Sequence, residues 1–264
     1  MKIGIVTSWN DNLTLFKFLN KYDNEYYIYY DFMSWPYWDR NFDDALKSIK
    51  KWIVYLKKLW VEKIIIPPIF ELTIKDKNIL PLFESYLLEY VFKYSLVGKI
   101  WIVWDFLEES QIQNILKDFQ KKYNLTDHQR NIKKFHFPFA YRFKSVPLRK
   151  YFLVNLSYSN FLVNKTVKFD LRYFKDSNVD SIIPMNYWYF NYENVVSRYF
   201  NFNKTRFHKL EKLEECFKKL ISNIWEKYSV KVFFTWHAEF IKKEKRLLRL
   251  LQRWKSVEVE RSNL

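Results

Sequence analysis

Short apolar runs alternate with amphipathic stretches along most of this chain. Apolar residues continue almost without interruption through KIGIVT (residues 2–7), KIII (63–66) and KIWIV (99–103), which is typical of strands buried on both faces. NFDDALKSIKKWIVYLKKL (41–59) instead repeats apolar residues at helical spacing, with acidic residues near its amino end where a helix dipole favours anions. The pattern therefore predicts strands and helices that alternate.

Further elements extend this alternation to the end of the chain. Strands are predicted at EYYIYYDF (25–32), VDSIIP (179–184) and VKVFFT (230–235), and helices at residues 12–22, 78–94, 108–123, 191–200, 208–227 and 238–251. Strands that alternate with helices of this length favour parallel sheets with helices on both faces. For a chain of 264 residues, we predict an α/β protein of two domains.

Composition excludes several classes of protein. The longest stretch without a charge, YFLVNLSYSNFLVN (151–164), is shorter than the roughly 18–20 apolar residues that cross a bilayer. The first residues are too briefly apolar for a secretory leader, so we predict a cytoplasmic protein. One cysteine, Cys216, excludes an internal disulfide, and its helical spacing predicts a buried core residue away from both strand ends. The four histidines lack metal-ligand spacing. No metal or cofactor is predicted.

A net charge of +16 is typical of proteins that bind nucleic acid, but the basic residues here are spread over nearly every helix. The best local patch, Arg142, Lys144, Arg149 and Lys150, is interleaved with aromatic residues. That alternation is also typical of a half-buried strand. We therefore expect a solvated basic surface and no nucleic-acid partner.

Tryptophan stands at several positions where glycine is expected. Average usage predicts about 18 glycines in a chain this long, whereas this sequence has 2 glycines and 11 tryptophans. Trp9 follows a strand, Trp38 follows a Pro-Tyr turn, and Trp60 joins a helix to a strand, all places that often need positive φ. We hypothesise that many of these tryptophans are glycines in the cell, encoded by UGA codons that mean glycine there.

With tryptophan read as glycine, the order of motifs resembles the glutamate racemases, cofactor-independent members of the aspartate/glutamate racemase superfamily. The motifs are IGIVTSWND, WPYW with the helix after it, LWVEKIII, KIWIVWDF, VDSIIP and VKVFFTWHAEF. The resemblance implies the glutamate racemase fold and the isomerase class of enzymes. Members of that family make D-glutamate for peptidoglycan. The resemblance also implies a first domain of residues 1–98 plus 203–264, a second of residues 99–202, and a cleft between them.

In that family two cysteines face each other across the substrate's α-carbon, and the resemblance places their positions at Pro68 and Asn186. The family's opening aspartate falls on Thr7, and its substrate-binding threonines fall near Asp105 and Glu108. The residues that match the family's cleft are Ser8, Pro36 and Tyr37. The resemblance therefore implies the fold and a binding site more than the reaction.

These observations predict a glutamate-racemase-like protein that has lost the two-thiol route and is therefore a candidate pseudoenzyme. A small amino acid or related carboxylate is the expected partner, and a homodimer remains open. Whether the chain is an enzyme at all also remains open. The alternative is a non-catalytic binding or regulatory module that uses the basic surface.

Overall fold

The computed structural model describes the following residues: 1–8, 12–31, 37, 40–93, 99–104, 109–125, 140–145, 161, 165, 168–169, 171–172, 181–200, 206–207, 209–221, 229–234 and 257–261. The chain forms two compact units. Unit 1 comprises Met1–Glu84, Asn186–Trp188 and Leu213–Leu264, and unit 2 comprises Ser85–Met185 and Tyr189–Lys212. The domain boundaries at residues 98 and 203, and the cleft, stay predictions.

Unit 1 is built on a parallel sheet of five strands in the order β3-β1-β2-β8-β9. The strands are β1 (Lys2–Thr7), β2 (Glu25–Tyr30), β3 (Lys63–Ile65), β8 (Ser229–Phe234) and β9 (Val257–Arg261). β1 pairs with β2 from Lys2 opposite Glu25 to Thr7 opposite Tyr30. β1 and β2 are buried along nearly their whole length, which for β1 the continuous apolar run predicts.

Unit 2 contains a four-stranded parallel sheet in the order β5-β4-β6-β7. Its strands are β4 (Lys99–Trp104), β5 (Ala140–Ser145), β6 (Ser181–Pro184) and β7 (Arg206–Phe207). β5 contains Arg142 and Lys144, so the predicted strand is confirmed for this part of the basic stretch, whereas Arg149 and Lys150 lie outside the described residues. All pairings between the described strands are parallel, which confirms the predicted α/β class.

Seven α-helices have both ends among the described residues, residues 161, 165, 168–169 and 171 are also helical, and segments of other helix types lie beside the seven. They are α1 (Phe16–Leu19), α2 (Phe42–Lys58), α3 (Pro68–Glu71), α4 (Leu82–Tyr86), α5 (Glu109–Lys122), α6 (Glu193–Phe200) and α7 (Leu210–Leu220). Segments of 3-10 helix precede α1 and α6 at Asn12–Leu15 and Tyr187–Tyr192, and a π-helical segment, Leu87–Phe92, continues α4.

Helix α2 is the longest of these helices, and its sequence explains both ends. The Asn41 side chain caps the start by accepting a hydrogen bond from the Asp43 backbone N–H at 2.8 Å. Asp43 lies in the first turn and Lys58 in the last, where each charge complements the helix dipole. The buried face is Ala45, Ile49, Trp52, Ile53 and Leu56.

The end of α2 is a Schellman motif. The Val61 N–H donates to the Leu56 carbonyl at 3.3 Å, and the Trp60 N–H donates to the Lys57 carbonyl at 3.0 Å. Trp60 has a φ of 59°, the left-handed conformation that glycine adopts most readily. The motif packs on β1 at Gly4, where an added Cβ would lie 2.9 Å from Leu56 Cδ1 and 3.0 Å from Val61 Cγ1.

Some predicted elements differ in extent from the observed ones. The helix predicted over 78–94 begins at Leu82, because Asn78–Leu80 instead hydrogen-bonds alongside β3. The helix predicted over 208–227 spans Leu210–Leu220. Strand β9 was not predicted, and the helix predicted over 238–251 lies outside the described residues. In the part of the chain that is described, no helix is long and apolar enough to cross a bilayer.

Candidate functional site

Polar side chains collect where the strands of unit 1 end. Thr7 and Ser8 lie at the end of β1, and Asp31 directly follows β2. All three are fully buried, and the Asp31 N–H donates to the Thr7 carbonyl at 2.8 Å. Since parallel strands share one carboxyl edge, these residues form a polar group at the edge where α/β proteins bind ligands.

Asp31 is the centre of a buried hydrogen-bond network. Its Oδ2 atom accepts a hydrogen bond from the Trp52 indole N–H at 2.6 Å and another from the Tyr37 hydroxyl at 3.0 Å. The donors come from α2 and from the segment that leads to α2. Two donors on one buried carboxylate oxygen offset part of the cost of removing that charge from water.

Ser8 and Tyr37, two predicted binding residues, are in direct contact. The Tyr37 backbone N–H donates to the Ser8 hydroxyl oxygen at 3.0 Å. The Tyr37 ring packs edge-on against Phe70, with centroids 6.1 Å apart, and Phe70 stacks on Phe42 at 5.2 Å. Phe70 lies two residues after Pro68 in α3, so Tyr37 contacts Ser8 through its backbone and α3 through its ring.

Pro67 and Pro68 begin α3 immediately after β3. Pro67 is the N-cap residue and Pro68 is the first helical residue, a position where proline's missing N–H costs nothing. Both are buried. The first position at which the resemblance implies a thiol is therefore a helix start with no ionisable side chain.

A second buried carboxyl lies at the end of α3. Glu71 Oε1 accepts a hydrogen bond from the Glu84 backbone N–H of α4 at 2.8 Å, and Oε2 lies 3.4 Å from the Tyr187 hydroxyl, which donates to it. Burial raises the pKa of Glu71 to about 8, although the backbone donors and the Tyr187 hydroxyl act in the opposite direction. This contact joins the segment after β3 to Asn186–Trp188, the segment that holds the second implied thiol position.

Cys216 is a buried residue of α7, as its helical spacing predicts, with 1% of its surface exposed. The prediction that Cys216 lies away from both strand ends is wrong for the end of β6. Burial is the main cause of a raised pKa at Tyr187, Glu71 adds to it, and the Cys216 thiol contributes as well. The thiol therefore lies near the segment that follows β6.

The remaining predicted site residues divide into described and undescribed ones. Asn186 is buried, with 3% of its surface exposed, and belongs to unit 1. Pro36, Asp105 and Glu108 lie outside the described residues, as do Trp9 and Trp38. Among the described side chains, no group of three His, Cys, Asp or Glu residues is arranged to hold a metal ion.

Sequence analysis missed Asp31 and Glu71. Asp31 was placed inside the predicted strand EYYIYYDF, although an acidic residue near the carboxyl end of a buried strand is itself a signal for a site. Glu71 carried a weaker one, as a single charge in the run IIIPPIFEL. The donors to both carboxylates come from other elements of the fold, so the hydrogen bonds themselves could not be predicted from local sequence.

Comparison with solved structures finds glutamate racemases over nearly the full length of the chain. Isoform RacE1 from Bacillus anthracis superposes with a TM-score of 0.73 at 14% identity, covering 99% of this chain and 97% of that one. The Francisella tularensis protein, in complex with D-glutamate, gives 0.67 at 14% identity, covering 98% and 97%. The Thermus thermophilus protein, in complex with β-chloro-D-alanine, gives 0.69 at 11% identity, covering 99% and 97%.

No family model and no curated protein matches the sequence. The similarity is therefore one of three-dimensional structure, at identities too low to transfer an activity. It extends over both units, including the strands that the sequence motifs identify. The resemblance predicted from those motifs is confirmed at the level of architecture: this chain has the fold of the glutamate racemases.

Proposed function

We propose that this chain is a divergent glutamate-racemase-like protein that binds a small amino acid or related carboxylate and does not racemise it by a two-thiol route. The observation that carries the proposal is the placement of Pro68 at the end of β3. It opens α3 at the position where the resemblance implies the first thiol. A proline side chain cannot accept or deliver a proton.

The chemistry explains why this loss matters. The α-proton of an amino acid is weakly acidic, so its removal needs a positioned base, and its return to the opposite face needs an acid on that face. Asn186, at the second implied position, also lacks a group that titrates near neutral pH. Cys216 is one thiol where the route needs two.

Binding is supported by the residues that remain. Ser8 and Tyr37 match the family pattern and contact each other at the carboxyl edge of the sheet of unit 1. Two structural neighbours hold D-glutamate and β-chloro-D-alanine, both small amino acids. We infer that the same class of molecule binds here, through backbone groups and Ser8.

Proton exchange in heavy water tests the catalytic part. Purified protein is mixed separately with L-glutamate, D-glutamate, L-aspartate and D-aspartate, and the α-proton signal is followed by NMR. We expect no protein-dependent loss of signal. Loss that disappears in the Ser8→Ala variant would belong to this chain and would contradict the proposal; the Cys216→Ser variant then reports whether the remaining thiol is responsible.

Calorimetric titration of the same four amino acids tests the binding part. We expect at least one to bind, and to bind more weakly to Ser8→Ala than to the unmodified chain. Cys216→Ser serves as the matched control, since it also changes one small buried side chain but leaves the carboxyl edge of the sheet intact. Absence of binding by all four would contradict this part of the proposal.

A further inference from the structure

We propose that Asp31 and Trp52 act as a pair of positioning residues that hold Tyr37 against Ser8. The inference rests on the proposed function, because it assigns the two residues to the binding site formed by Ser8 and Tyr37. Neither residue is assumed to touch the ligand. Their role is to fix Tyr37, whose backbone N–H in turn holds the Ser8 hydroxyl.

Trp52, Asp31 and Tyr37 form a hydrogen-bonded group, which we call the clamp. Trp52 and Tyr37 both donate to the same oxygen, Oδ2, at 2.6 Å and 3.0 Å. Asp31 is fully buried and is itself held by its backbone N–H, which donates to Thr7. A hydrogen bond to a buried charge is stronger than one between neutral groups, so the Tyr37 hydroxyl is held firmly.

Trp52 is anchored independently of Asp31. Its ring stacks on Tyr29 of β2, with centroids 4.1 Å apart and planes inclined by 21°. It belongs to the buried face of α2, and 4% of its surface is exposed. A helix and a strand therefore fix the indole N–H, and that N–H helps to orient the Asp31 carboxylate.

Tyr37 connects the clamp to the binding site. Its hydroxyl is bound by Asp31 and its backbone N–H by Ser8, so both ends of the residue are fixed. A binding residue that is already ordered loses less entropy when its ligand arrives. Weakening the clamp should therefore weaken ligand binding even though the residues changed lie behind the site.

The test uses two conservative variants of the full-length protein. Trp52→Phe keeps an aromatic ring and removes the N–H donor, and Tyr37→Phe removes only the hydroxyl. Tyr27→Phe is the matched control, because it removes the hydroxyl that donates to Glu25 at 2.6 Å in the same strand, β2, away from this edge. Tyrosine labelled with ¹⁵N allows hydrogen exchange at the residue 37 amide to be followed in Trp52→Phe and Tyr27→Phe, and labelled phenylalanine does so in Tyr37→Phe.

We expect exchange at that amide to accelerate roughly tenfold in both test variants, the factor expected for one lost hydrogen bond to a charged group. The Tyr27→Phe control should leave the rate unchanged. The dissociation constant for the amino acid that binds should rise by a similar factor in the test variants. Unchanged exchange at residue 37 in Tyr37→Phe would overturn the inference, even if Trp52→Phe failed to fold.

The two proposals fail in different ways. If the unmodified protein binds none of the four amino acids but exchange accelerates as expected, the proposed function is wrong and the clamp stands. If an amino acid binds equally well to the unmodified protein and to Tyr37→Phe, the clamp has no role in binding and the inference is wrong. Binding that weakens together with faster exchange supports both.

Discussion

Trp52 lies within α2 and Trp60 lies just after it, about two helical turns further on, yet their surroundings are opposite. Trp52 has 4% of its surface exposed, stacks on Tyr29 and donates to Asp31. Trp60 has 82% exposed and occupies the left-handed position of a Schellman motif with a φ of 59°. One side chain is integral to the structure, and the other only occupies a backbone position suited to glycine.

Replacement by glycine would have opposite consequences at these two positions. A glycine at residue 52 would leave a space in the core and remove a donor from a buried carboxylate. A glycine at residue 60 would relieve backbone strain without removing buried contacts. The hypothesis that UGA encodes glycine therefore predicts a different codon at each of these positions.

The largest effect is expected from Trp52→Gly. Removal of a buried tryptophan side chain costs about 3–5 kcal/mol, and glycine inside a helix adds about 1 kcal/mol. The free energy of unfolding should therefore fall by about 5 kcal/mol, measured by urea denaturation. Trp52→Phe is the control, since it keeps most of the ring contacts and should lose much less. Equal stability of Trp52→Gly and the unmodified protein would remove the contrast between the two positions.

The pH dependence of the unfolding free energy should be the same in both tryptophan variants, because it arises from Glu71. The pKa of Glu71 is about 8 in the folded state, against an ordinary value of 4.5, and burial is the main cause. Between these values the folded state holds a proton that the unfolded state releases. The stabilising contribution of protonated Glu71 is complete below about 4.5 and is lost as the pH rises through 8.

Unfolding free energy should therefore fall with rising pH across this window by up to about 1.4 kcal/mol per pH unit. Glu71→Gln keeps a neutral side chain of the same shape and should remove this component of the slope. Trp60→Gly should keep it, because Glu71 is bound by Glu84 and Tyr187 and not by α2. An unchanged slope in Glu71→Gln would show that Glu71 titrates normally.

The smallest effect is expected from Trp60→Gly, which should stabilise the protein. Left-handed backbone costs a residue with a Cβ atom roughly 1–2 kcal/mol, and part of that gain is offset by the greater freedom of glycine in the unfolded chain. We expect a gain of about 1 kcal/mol in unfolding free energy. Trp60→Ala is the matched control: it removes the exposed ring but keeps Cβ, so it should change stability little.

The gene provides an independent check on the same contrast. UGA is expected at codon 60 and UGG at codon 52. UGG at codons 9, 38 and 60 would rule out the recoding hypothesis, whatever the stability of the variants. A stabilising Trp60→Gly substitution would then reflect only the local conformation of the Schellman motif.

Local pattern was sufficient for most of the fold. β1 begins and ends where its apolar run does, β2 ends two residues before the predicted strand does, and α2 (Phe42–Lys58) nearly fills the helix predicted over 41–59. Pattern failed where tertiary contacts decide the outcome. Asn78–Leu80 lies alongside β3 instead of joining α4, and β9 is a short strand whose pairing with β8 supplies what local sequence does not.

The candidate site was predicted only in part for the same reason. Ser8 and Tyr37 were identified through the motifs that carry the resemblance, and they meet in the structure. The clamp behind them depends on Trp52, which lies 21 positions along the chain from Asp31. No spacing rule joins a residue after a strand to the middle of the next helix, so that contact required the fold.

The parallel pairing of β2 with β8 affects how the protein can be made. It joins residues such as Glu25 and Ser229, so the central strand of unit 1 acquires its second neighbour only after most of the polypeptide has been synthesised. Contacts this distant in sequence slow folding and expose unpaired strand edges during translation. The edge of β2, whose sequence EYYIYY is rich in aromatic residues, would therefore stay unpaired until β8 is synthesised. Chaperones that shield such edges would improve the yield of folded protein.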